Sequence, residues 1–83
     1  MTTAVSVSGF AFGPKAIQVS AGAVVTWTNS DNVNHNVTFT NAAVGATPDF
    51  ATGSKALAMP SAVGTYDYHC TIHPSMIGSV LVK

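Results

Sequence analysis

The chain has 83 residues, three lysines balanced by three aspartates, no arginine and no glutamate, so it is formally neutral with only 7% charged residues. That length fits one domain, taken as residues 1–83, with a small core. The charge balance excludes the basic patch that nucleic acid requires, makes long-range steering of a partner weak, and no apolar run is long enough to span a membrane.

The chain alternates apolar and polar residues and shows no helical period. Residues 1–6 hold neither a basic stretch nor an apolar run, so no signal peptide is expected within this chain. Residues 5–8 read as a first short strand. Residues 9–14 read as a connection carrying Phe10 and Phe12. Residues 16–20 form a second strand with Ile17 and Val19 on one face, and Ala21-Gly22 is a turn. Residues 24–29, rich in β-branched side chains, form a third strand. Ser30-Asp31-Asn32 has turn chemistry. Residues 35–40 form a strand with Val37 and Phe39 alternating. Residues 41–53 are a surface loop with one distorted edge strand or a short helical turn. Residues 55–59 are a strand ended by Pro60. Residues 64–70 place Tyr66, Tyr68 and Cys70 on one face, and residues 78–83 are the last strand. Seven to eight short strands without a helix predict an all-β, Greek-key β-sandwich. Trp27, Tyr66 and Tyr68 are expected in its core, one tyrosine hydroxyl making a corner hydrogen bond, and Met59 in core or loop packing rather than as a ligand.

One stretch carries chemistry. The only cysteine lies in Cys70-Thr71-Ile72-His73-Pro74-Ser75-Met76, which sets a thiol, an imidazole and a thioether at three-residue intervals. His35 stands 35 residues upstream, at the expected start of one strand, while Cys70 ends another. A Greek-key sandwich brings such ends to one pole. A soft thiolate, two imidazoles and a weak thioether suit a copper ion cycling between cuprous and cupric states. In that arrangement Cys70 is the thiolate, His35 and His73 are neutral in-plane donors, and Met76 is the weak axial donor. A bound metal would also stabilise so small a core. His69 falls on the opposite face from Cys70 and is read as non-ligating. Asn36 is expected to reach across to the ligand turn near Thr71, and Pro74 to stiffen that turn. A Cys–His hydrolytic pair would need an oxyanion hole and an orienting group that nothing here supplies, so the chain is not read as an enzyme. Zinc would accept the cysteine and histidines but gains little from the thioether.

Three stretches together resemble the cupredoxins: Val25-Thr26-Trp27-Thr28-Asn29, His35-Asn36-Val37, and the run from Gly64 through the ligand turn to Gly78. The similarity is greatest to the amicyanins and small plastocyanin-like proteins. It spans roughly residues 10–83, is weakest over 41–55, and includes the short two-residue gap before Met76. The resemblance implies a cupredoxin-like fold, a single blue copper ion and a one-electron carrier in the periplasm or outside the cell. It also implies that His73 can protonate and leave cuprous copper in acid. The competing functions are copper storage or delivery, and one domain of a larger copper oxidase or respiratory protein. No His-x-His pairs are present for a multinuclear oxygen-reducing centre. The chain is expected to act as a monomer. Its redox partner is expected to dock near His73, on an apolar collar of Ile72, Pro74, Ile77 and Pro48.

Overall fold

The computed structural model describes residues 3–83; Met1 and Thr2, which open the stretch read for a leader, lie outside the described residues. Eight strands follow in order: β1 (Ala4–Ser8), β2 (Ala11–Gly13), β3 (Ala16–Val19), β4 (Val24–Asn29), β5 (Thr38–Phe39), β6 (Gly53–Ala58), β7 (Gly64–His69) and β8 (Ile77–Val82). They form two four-stranded sheets, β2-β1-β4-β6 and β3-β8-β7-β5. Each sheet is mixed. β1 runs parallel to β4, β3 runs parallel to β8, and the other pairs are antiparallel. No helix occurs among the described residues. The expected all-β sandwich is therefore what the chain forms.

Alternation explains most of these strands. In β4, Val25, Trp27 and Asn29 turn inward, and in β8 Gly78, Val80 and Val82 do so. The inward sets of both sheets close a core centred on Trp27 and Tyr68. Their rings meet at 82° with centroids 5.4 Å apart, and Tyr68 also meets Phe12 at 4.8 Å and Phe39 at 5.0 Å. The Trp27 and Phe12 contacts are edge-on and the Phe39 contact is tilted at 45°; favourable aromatic pairs add about 0.5–1.5 kcal/mol beyond area burial. Tyr66 donates its hydroxyl to the carbonyl of Ala62 at 2.7 Å, the expected corner bond. Met59 is buried, as expected.

Three segments differ from the expectation. The connection assigned to residues 9–14 contains β2, which pairs with β1 through Val7 opposite Phe12. Three residues are too few to display alternation, so the strand was invisible. The link between β1 and β2 is the pair Gly9-Phe10, both at φ 58°. Positive φ at both central positions marks a type I′ hairpin turn. For a phenylalanine that conformation costs about 1–2 kcal/mol.

The strand expected over residues 35–40 survives in a sheet ladder only at β5. His35 instead bridges Phe50, with amide–carbonyl bonds of 3.0 and 2.9 Å in the two directions. Val37 donates to the Thr47 hydroxyl at 3.0 Å and accepts from the Thr47 amide at 2.9 Å. A side-chain oxygen thus replaces a main-chain carbonyl, which breaks the ladder. Finally, β6 begins at Gly53, two residues before its expected start, and Met59 lies beyond its end. The loop between β5 and β6 holds one short helical turn at residues 41–45, in which the Asn41 carbonyl accepts from the Val44 amide at 3.1 Å and the Gly45 amide at 3.5 Å, and the Asn41 side chain accepts from the Ala43 amide at 2.9 Å.

Candidate metal centre

The β7–β8 connection, residues 70–76, lies at one pole of the sandwich, where the 30–36 loop after β4 also arrives. Two main-chain bonds tighten that connection. The Cys70 amide donates to the Met76 carbonyl at 3.1 Å, and the Met76 amide to the His73 carbonyl at 2.9 Å. The Cys70 and Met76 side chains are buried. So is His35, held by its bridge to Phe50, whereas His73 is only half-buried.

Three of the four sequence-expected donors converge. His35 Nδ1 lies 3.2 Å from His73 Nδ1, and Cys70 Sγ lies 4.0 Å from the first and 3.9 Å from the second. The circle through a triangle with those sides has a radius of about 2.2 Å, between the ~2.0–2.1 Å of imidazole–metal bonds and the ~2.3 Å of thiolate–metal bonds. One ion fits between the three atoms without moving them. His35, Cys70 and His73 form a group whose geometry could hold a metal ion, and His69 lies outside it, paired across the ladder with Thr38.

Asn36 ties the two ligand segments together. Its amide donates to the Thr71 hydroxyl at 2.7 Å and to Asp49 Oδ1 at 3.0 Å. Its carbonyl oxygen accepts from the Thr71 amide at 3.0 Å and from the Thr38 hydroxyl at 2.9 Å. This is the bridge expected from the sequence, with Asp49 as an added partner. Asn36→Ala is expected to weaken copper binding by about 10–100-fold, the usual consequence of losing such an outer partner. Competition against a chelator of known affinity checks it; an unchanged affinity would remove the role.

Asp31 went unrecognised as part of the site. Its Oδ2 accepts from His35 Nε2 at 2.9 Å, four residues on. Its two carboxylate oxygens also accept the amides of Gly9 at 3.1 Å and Phe10 at 3.5 Å. The His35 bond is the main reason that the Asp31 carboxyl sits below its usual range; burial opposes it, and the two amides reinforce it. The buried Asn29 shapes the loop by accepting from the Asp31 amide at 2.8 Å and donating to the Phe50 carbonyl at 2.8 Å. A four-residue spacing signals a side-chain contact only on a helix, so in this loop Asp31 read as turn chemistry alone.

Phe10 was also missed. Its ring stands edge-on against His73 at 4.9 Å and His35 at 5.6 Å. Pro74 and Ile77 border an open groove of about 430 Å³ together with Thr40 and His69.

A family model described as copper binding proteins, plastocyanin/azurin family, matches residues 1–83. Amicyanin-alpha of Methylorubrum extorquens is 34% identical over 87 residues, covering 99% of this chain and 72% of that protein. Amicyanin of Paracoccus versutus is 37% identical over 71 residues, covering 81% of this chain and 54% of that protein, so the chain spans about half its length. Among solved structures, a reduced Cu(I) amicyanin variant at pH 4 superposes with a TM-score of 0.87 at 33% identity, covering 99% of this chain and 82% of that one.

Proposed function

Because the chain belongs to the plastocyanin/azurin family of copper-binding proteins, we propose that it is a one-electron carrier whose single copper ion is held by His35, Cys70, His73 and Met76. The observation that carries this reading is the convergence of two imidazole nitrogens and one sulfur on a point about 2.2 Å from each. When bound, copper supplies a one-electron couple between its cuprous and cupric states. The protein's part is to hold its donors still. Cys70 supplies the thiolate, buried from competing reagents. His35 is held with its outer nitrogen as the donor to Asp31, which leaves Nδ1 free for the metal. Asn36 prevents the ligand turn from drifting away from the His35 loop. Met76 would supply the weak thioether donor, its main chain clasped to both Cys70 and His73.

A fixed donor set suits electron transfer more than delivery, which requires the ion to leave. As a member of a family of copper-binding electron carriers, the chain is not an enzyme. Electrons pass through His73, the one half-buried donor beside three buried ones. A redox partner docks there, and sparse charge keeps the encounter brief. The carrier works as a monomeric single domain, residues 1–83, in the periplasm or outside the cell. No helix among the described residues is long and apolar enough to cross a membrane.

Addition of cupric ion to the metal-free protein tests the function. An intense thiolate-to-copper band in the red region is expected, lost on addition of one reducing equivalent and restored by an oxidant. A colourless protein that binds only zinc would overturn the reading.

A further inference from the structure

We propose that Asp31 is a positioning residue that controls both imidazoles of the centre at once: directly through His35, and through the β1–β2 turn that presents Phe10 to His73. The inference rests on the proposed copper centre and goes beyond its four donors.

The two imidazoles are secured differently. His35 has a carboxylate on its outer nitrogen. A carboxylate accepts and does not donate, so His35 carries its proton on Nε2 and leaves the Nδ1 lone pair for the metal. His73 has no hydrogen bond on its outer nitrogen among the described residues. Its ring is instead flanked by the rings of Phe10 at 4.9 Å and His35 at 4.9 Å. Phe10 is therefore the restraint on the more exposed donor.

Phe10 occupies that place against its own preference. It sits at φ 58°, where glycine or asparagine is the usual residue, and remains 54% exposed. Burial in the core does not offset the strained backbone. Besides the Ser8–Ala11 pairing that closes the hairpin, the turn is held by Asp31, which accepts the amides of both turn residues. One carboxylate thus joins the turn to the buried ligand, and the turn carries the aromatic ring to the outer ligand. Strain held at such a position is where a functional constraint is expected.

Four variants test this: Asp31→Ala, Phe10→Gly, Phe10→Tyr and the double variant Asp31→Ala with Phe10→Gly. The Asp31 amide is already held by Asn29, so the loop is expected to fold without the carboxylate. Nitrogen NMR of metal-free protein reads the His35 tautomer, and proton NMR reads the Phe10–His73 contact. Chelator competition and the reduction potential read the loaded centre. In Asp31→Ala, His35 is expected to become a mixture of tautomers, the Phe10–His73 contact to fade, and copper affinity to fall by about 10–100-fold. Phe10→Gly is expected to keep the His35 tautomer and resist denaturant at least as well as the parent, while its potential shifts and its copper binding weakens. Phe10→Tyr keeps the ring and is expected to match the parent.

The double variant is expected to lose less affinity than the product of the two single losses, because Asp31 acts partly through Phe10. Losses that simply multiply would overturn the coupling of Asp31 to His73 through Phe10. So would an Asp31→Ala protein that keeps a single tautomer and the ring contact. A parent that shows the red band while all four variants match it would sink this inference alone. A parent without the band would remove the copper reading and this inference with it.

Discussion

Cys70→Ser protein mixed with cupric ion is expected to stay without the intense red-region band, and to bind copper more than about 100-fold more weakly than the parent. The bound is conservative. Losing an outer partner of a metal ligand already costs about 10–100-fold, and Cys70 is a proposed ligand. A hydroxyl is a harder and less basic donor than a thiolate, and it cannot supply the sulfur-to-copper charge transfer. His35 Nδ1 and His73 Nδ1 remain 3.2 Å apart, so residual binding through two imidazoles is expected. Visible absorption and chelator competition check both parts. Retention of the band in the serine variant would show that the copper chromophore lies elsewhere. The metal-free variant, compared with the metal-free parent in denaturant, separates lost coordination from a damaged fold, because Cys70 is fully buried.

The second large effect is on stability. Gly78→Ala is expected to destabilise the metal-free protein by about 1–3 kcal/mol, the range for overpacking a filled core. In the β7–β8 ladder Gly78 stands directly opposite Tyr68. A methyl on Gly78 would overlap Cζ and Oη of that ring and approach its Cε2 to 2.9 Å. The ring cannot easily retreat, because Phe12, Trp27 and Phe39 surround it. The reason is space, since the Gly78 backbone is not in the left-handed region. Burial also pushes the Tyr68 hydroxyl above the ordinary phenol range, slightly offset by the nearby Trp27 indole, and neither polar atom finds a hydrogen-bond partner among the described residues. A displaced ring would drag that hydroxyl with it. Denaturant titration of Gly78→Ala checks the prediction; stability equal to the parent would mean that the ring has room to move.

The donors were legible before the fold because their chemistry is written in residue type and spacing. Cys70, His73 and Met76 lie within one short turn, and a lone cysteine bracketed by such neighbours has few structural explanations. Most strands were legible for a similar reason. In β4, β7 and β8 a two-residue period places whole sets of side chains on one face, and such a pattern needs no knowledge of partners. The Asn36 bridge was legible because a polar residue beside His35 has to find a partner near the other ligand segment once both occupy one pole.

Other features depend on partners distant in the chain. β2 exists because β1 offers it a ladder, and three residues hold too little pattern to announce that. β5 is short because Thr47, from an irregular loop, substitutes a hydroxyl for a carbonyl beside Val37. Asp31 read as a turn former, and it is one, but its carboxylate also gathers His35, Gly9 and Phe10 from two separate segments.

By itself, then, the sequence determined which atoms are available to a metal and which faces of the strands are apolar. Both are properties of residue identity and of the two-residue repeat of an extended chain. Tertiary structure alone decided how those donors are held. The 3.2 Å between the imidazole nitrogens, the carboxylate that ties His35 to the β1–β2 turn and the ring that flanks His73 all join segments brought together across the pole of the sandwich. Contacts of that kind depend on the closure of two sheets over one core, and no local pattern in the chain encodes them.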